Sequence, residues 1–124
     1  MIAKTIITAA ALTAALVTVA HAEGDAARGE ARFKECAASH KLDAGANEVG
    51  PSLHGLFSRT AGELADFRYS PAMKRSGVIW TAETLDKYIA DPQAFVPAYR
   101  MPYAGISNAA DRADLIAYLQ KATQ

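Results

Sequence analysis

The chain has 124 residues, with 13 basic and 13 acidic side chains and a formal net charge of zero. That balance argues against a nucleic-acid binder, which needs a basic surface. A single cysteine, Cys36, rules out an internal disulfide framework.

The N-terminal segment reads as an export signal. Met1-Ile2-Ala3-Lys4 is a short positive start, residues 6–20 are apolar apart from Thr8, Thr13 and Thr18, and Ala20-His21-Ala22 is an A-x-A cleavage site. Residues 1–22 are therefore expected to be a secretory signal peptide, and the mature protein to be periplasmic. The alternative is an uncleaved tether, but the apolar run falls short of the ~20 residues a bilayer needs. No other segment is apolar enough to span, so no stable membrane insertion is expected. Cleavage leaves residues 23–124 as one domain, with 12 basic against 13 acidic residues once Lys4 is gone. A domain of that size has a thin core. With no disulfide to staple it, a large apolar cofactor would fill the space, and all ten aromatic residues lie in this part.

The spacing predicts a helix over residues 25–38, with Asp25 as its N-cap. Gly29, Phe33 and Cys36 share a face. Gly29 marks either a close helix crossing or a tolerated defect, since glycine in a helix costs about 1 kcal/mol against alanine. Residues 41–58 read as loop. Gly50 to Phe57 is rich in turn residues and either wraps a bound group or forms a plain surface loop. His54 there is expected to face solvent. Ser70-Pro71 opens a short helix that ends by Gly77. Trp80 reads as core. Thr81 caps a helix over residues 82–90, closed by Asp91-Pro92. Its stripe is Leu85, Tyr88 and Ile89, and core packing alone would account for Tyr88. Residues 95–106 form an apolar loop broken by Pro97, Pro102 and Gly105. Apolar loops are informative because loops usually face water. Met101 within it reads as a flexible core filler or a ligand. A last helix spans residues 109–122, with Ser107 or Asn108 as cap and Asp111 and Asp114 placed to suit its positive end. No alternating run suggests a strand, so the fold class is all-α.

One stretch carries chemistry. C-type haem is attached through C-x-x-C-H, where two thiols bind the vinyl groups and the histidine binds iron. Here Cys36-Ala37-Ala38-Ser39-His40 keeps the first thiol and the histidine but has Ser39 at the second thiol position. A serine hydroxyl does not form that thioether, so at most one covalent link is possible. Alone the fragment also fits a buried free cysteine and a surface histidine.

Taken in order with the stretches Gly50 to Arg59, Tyr69, Gly77 to Trp80, Tyr88, Met101 to Ile106 and Asp114 to Leu119, the chain resembles the class I cytochrome c family, over essentially all of residues 24–123. The resemblance implies a small fold of three to five helices with loops wrapped around one haem c and its iron. His40 would be the proximal iron ligand, with the Pro51 carbonyl on its other ring nitrogen, and Met101 the distal ligand. Tyr88 would bond near the Met101 sulfur, and Arg59, Tyr69 and Trp80 would meet a propionate. Gly29, Phe33, Leu115 and Tyr118 would form the crossing of the terminal helices. Met73 and Tyr99 stand where many relatives have Asn and Thr.

The implied function is one-electron transfer between redox proteins: a membrane cytochrome complex, an oxidase, a reaction centre or a dehydrogenase. No catalytic residue is expected, and the protein would be a monomer. Lys34, Lys41, Lys74, Arg75, Lys87 and Arg100 are available to partners, though the acidic residues balance them. The alternative is a peroxidase-like or gas-binding haem protein, should Met101 leave the iron.

Overall fold

A computed structural model describes residues 24–124. The signal peptide expected at residues 1–22 lies outside the described residues. Five helices follow in order: α1 (Ala26–Ala37), α2 (Pro71–Arg75), α3 (Ala82–Ala90), α4 (Pro92–Phe95) and α5 (Ala109–Ala122). Among the described residues extended pairing is confined to one isolated antiparallel bridge, Thr60 with Ile79. The fold is all-α, as expected.

Local chemistry explains where each helix starts. Asp25, Ser70, Thr81 and Asn108 accept from Arg28, Met73, Thr84 and Asp111 N–H, which satisfies donors that have no helical partner. Thr81 and Thr84 bond reciprocally as a capping box. Helix α4 is absent from the sequence reading, which ended α3 at Asp91-Pro92. The chain does end α3 there, but Pro92 then occupies the first turn of a new helix, and Asp91 Oδ1 accepts from Ala94 N–H at 3.1 Å. Proline at that position loses nothing, because its missing N–H would have had no partner.

The frame is the α1–α5 crossing. Gly29 is buried, and a Cβ there would lie 1.9 Å from the Asp114 carbonyl oxygen and 2.8 Å from Tyr118 Cβ. A Cβ on Gly24 would likewise lie 1.9 Å from the Ala113 carbonyl oxygen. The two backbones therefore touch without side chains between them. Phe33 and Tyr118 stack beside this contact at 5.3 Å between ring centroids. Leu115 is only 1% exposed and belongs to the same core as Phe33, Trp80, Leu85, Tyr88 and Leu119.

Asp114 does more than complement the α5 dipole. Its side chain is buried beneath α1, where it accepts from the Asp25 N–H at 2.7 Å and Arg28 Nε at 2.8 Å. The Arg28 hydrogen bond, then the Asp25 amide, hold its carboxyl below the usual carboxylate value. A depressed folded-state pKa contributes stability that is present above the ordinary value, about 3.9, and is lost as pH falls through the lowered value. Asp114→Asn is expected to be less stable at pH 7 and to lose less on acidification below about pH 4. Denaturant melts between pH 7 and pH 3 check this; parallel curves for both proteins would refute the coupling.

Candidate haem site

The C-terminal end of α1 presents the first half of the site. Ser39 and His40 N–H both donate to the Cys36 carbonyl, at 3.0 and 2.9 Å. The chain thus turns within one residue of the helix and places Cys36 and His40 on the same bend. Two backbone bonds tie the following loop back to it: Gly50 N–H to Ser39 O at 2.8 Å and Leu53 N–H to Lys41 O at 2.9 Å.

That loop orients the imidazole. His40 Nδ1 lies 2.8 Å from the Pro51 carbonyl oxygen. A carbonyl only accepts, so Nδ1 carries the proton and Nε2 is left with a bare lone pair. Gly50 packs directly on the ring, and a Cβ there would sit 2.3 Å from Cε1 and 2.8 Å from Nε2. Burial pushes the His40 pKa below its ordinary value, the Pro51 bond opposes this, and the Arg59 charge lowers it further. The ring is therefore neutral at pH 7, which is the ligating form. Burial pushes the Cys36 thiol up to about 11, with a contribution from Glu35, so it is protonated at neutral pH.

Residues 58–61 and 78–80 bring two more expected site residues, Arg59 and Trp80, together. Ser58 N–H donates to Trp80 O at 2.7 Å, and Trp80 N–H to Arg59 O at 2.9 Å. The Arg59 guanidinium donates to the Ser52 and His54 carbonyls, each at 3.0 Å, so it braces the loop that carries Pro51. His54 itself is exposed, as expected. Burial raises the Tyr69 pKa while the Arg59 charge opposes it. Tyr69 packs edge-on to Phe67 at 4.9 Å. Trp80 is buried and stacks on Tyr88 at 5.1 Å. The Tyr88 pKa is raised, first by burial and then by the neighbouring Tyr99 phenol.

The apolar loop after α4 carries Met101, the second ligand that the sequence leads one to expect. Met101 is half-buried against the core, as are Tyr99 and Tyr103. The Tyr103 pKa is pushed up to about 12, by burial first and then by the Cys36 and Glu35 charges. The loop is anchored behind: Ile106 N–H donates to Ile89 O at 2.8 Å, and Arg112 donates to Ile106 O and Ser107 O at 2.9 Å and to Asp86 at 2.7 Å.

Three of these residues were missed in the sequence. Gly50 registered only as a turn residue, although the Gly-Pro pair beside a histidine-binding carbonyl is what admits the ring. Arg112 and Tyr103 carried no local signal, because their partners are distant in the chain or are backbone groups. All six cationic residues read as available to partners are exposed, and Lys87 pairs with Glu83 at 2.9 Å.

The donor set fits haem iron: a neutral imidazole with one free nitrogen, a thioether, and a thiol within one turn of the imidazole. Half-buried apolar side chains, including Leu53, Val78, Tyr99 and Tyr103 as well as Cys36 and Met101, pack against the same core.

Comparison with known proteins agrees. The family model described as Cytochrome c matches residues 26–123. The chain is 46% identical over 98 residues to cytochrome c2 of Blastochloris viridis, covering 78% of this chain and 77% of that one. It is 48% identical over 88 residues to cytochrome c2 iso-2 of Magnetospirillum fulvum, covering 71% and 92%. It is also 42% identical over 98 residues to cytochrome c 2.1 of Caenorhabditis elegans, covering 78% and 88%.

Proposed function

Because this chain belongs to the cytochrome c family, whose members carry electrons on haem c with its iron and are not enzymes, we propose that His40 and Met101 are its axial iron ligands and Cys36 its single covalent attachment. When bound, the haem supplies a one-electron Fe(III)/Fe(II) couple. The observation that carries the ligand assignment is the His40–Pro51 contact at 2.8 Å, which leaves Nε2 unprotonated and the ring unable to swing away.

The chain's other residues then have definite tasks. Gly50 keeps the space behind the imidazole free of a Cβ. Arg59 braces the Pro51 loop through two carbonyls while its positive charge, together with Tyr69 and Trp80, suits a propionate. Tyr88, packed on Trp80 and on Tyr99 of the Met101 loop, would bond near the thioether. Met101 offers a soft sulfur that favours reduced iron. With His40 and Met101 both holding the iron, no substrate would need to bind it.

The partners are redox proteins of the kinds read from the sequence, engaged transiently by a monomer in the periplasm. Among the described residues no helix is long and apolar enough to cross a membrane.

Ser39 decides the attachment chemistry. A hydroxyl cannot replace the thiol, so one vinyl group stays unsaturated. A pyridine haemochrome spectrum is expected at the position for one saturated vinyl, with haem retained on the denatured chain by intact mass. Two saturated vinyl groups, or a denatured chain that sheds all its haem, would overturn the single-thioether reading.

A further inference from the structure

The Met101 loop is held at its rear by Ile89 and Arg112. Within it Ala98 has φ of 63°, in the left-handed region that alanine rarely adopts. A chain in that turn needs a tether to stay in it. Tyr99 follows at once. Its phenol donates to the carbonyl of Tyr103, and Tyr103 N–H donates in turn to the Met101 carbonyl at 2.9 Å. Met101 is thus the midpoint of a five-residue ring, two residues from each end, closed by one hydroxyl. The Tyr99 ring rests edge-on against Tyr88 at 6.3 Å, and Tyr88 is fixed in the core by Trp80 at 5.1 Å. The ring is therefore pinned to α3 as well as closed on itself.

We propose that Tyr99 is a positioning residue for Met101: its hydroxyl closes the loop of residues 99–103 and holds the thioether on the iron against competing ligands. This rests on the His40/Met101 ligation proposed above. A competing ligand reaches the iron only when Met101 has swung away, so its apparent affinity scales with the fraction of molecules whose loop is open. Removing the hydroxyl deletes one loop-closing hydrogen bond and raises that fraction, by about fivefold for a bond of ordinary net strength. Tyr99→Phe keeps the aromatic contact with Tyr88, so the core beneath the loop is left intact.

The test is an imidazole titration of the oxidised, haem-loaded protein, read by loss of the sulfur-to-iron absorption band. Tyr99→Phe is expected to bind imidazole about fivefold more tightly than the unchanged protein. Asp114→Asn serves as a comparison, since it weakens the fold at the helix crossing and leaves the loop untouched; its imidazole affinity is expected to match the unchanged protein. Unaltered affinity in Tyr99→Phe overturns the assignment to Tyr99. So does an equal rise in Asp114→Asn, which would make the effect one of general stability. Absence of the sulfur band from the unchanged protein is a separate outcome, which overturns the Met101 ligation itself and this proposal with it.

Discussion

Gly29→Ala is expected to lower the thermal midpoint by about 12 °C, a net loss of about 2 kcal/mol. On an isolated helix the same change would stabilise, by about 1 kcal/mol. Here the added Cβ falls 1.9 Å from the Asp114 carbonyl oxygen and 2.6 Å from its carbon. These are backbone atoms and cannot rotate aside. The helices must separate, and the separation also strains the Asp25 and Arg28 bonds to the Asp114 carboxylate. Overpacking of this kind costs about 3 kcal/mol and outweighs the gain in helix propensity. Gly45→Ala is the comparison: φ is 73° but nothing lies within 4 Å of the added atom. It should cost only about 1 kcal/mol, from backbone conformation alone. Far-UV circular dichroism melts distinguish the two, and equal losses at both sites would refute the steric account.

Met101→Ala is expected to lower the reduction potential by a few tenths of a volt, a substantial part of the roughly 0.8 V that axial ligands command. The thioether is a soft donor that stabilises reduced iron more than oxidised iron. Alanine offers no donor, so water or a stronger nitrogen base takes the position and favours the oxidised state. The fold should survive, because Met101 is half-buried in a loop whose rear is fixed independently by Ile89 and Arg112. Voltammetry of the two proteins, with melts alongside, separates the ligand effect from loss of structure. An unchanged potential in a folded variant would remove Met101 from the iron.

The frame of the fold could be read in the sequence because its determinants are local. Asp25, Ser70 and Thr81 each announce a helix that the structure places within a residue of expectation. Residues 82–90 and 109–122 match at both ends. The apolar faces followed from spacing, whereas Gly29 left a close crossing and a tolerated defect both open until the 1.9 Å approach to the Asp114 carbonyl oxygen decided it. Helix α4 escaped because Asp91-Pro92 signals both a stop and a start, and only tertiary packing shows that the chain restarts at once. Asp114 was read as a dipole partner, since nothing near it in sequence discloses Arg28, 86 residues away.

The site divides the same way. Cys36 and His40 stood out because haem attachment demands a fixed spacing, and the Pro51 contact to His40, which the structure shows at 2.8 Å, was implied by the family resemblance. The bracing by Arg59 of the Ser52 and His54 carbonyls, the Gly50 cradle and the Tyr99–Tyr103 closure were not legible. Each is a contact between a side chain and a backbone group, or a space where an atom must be missing, and sequence patterns do not mark these.

The account depends most on a thioether and an imidazole from opposite ends of the chain holding one iron. The direct measurement is the red absorption spectrum of the oxidised, haem-loaded protein at neutral pH, beside that of Met101→Ala. A low-spin spectrum with a sulfur-to-iron band that vanishes in Met101→Ala is the predicted result. A high-spin spectrum without that band, or a band that survives the substitution, would contradict it.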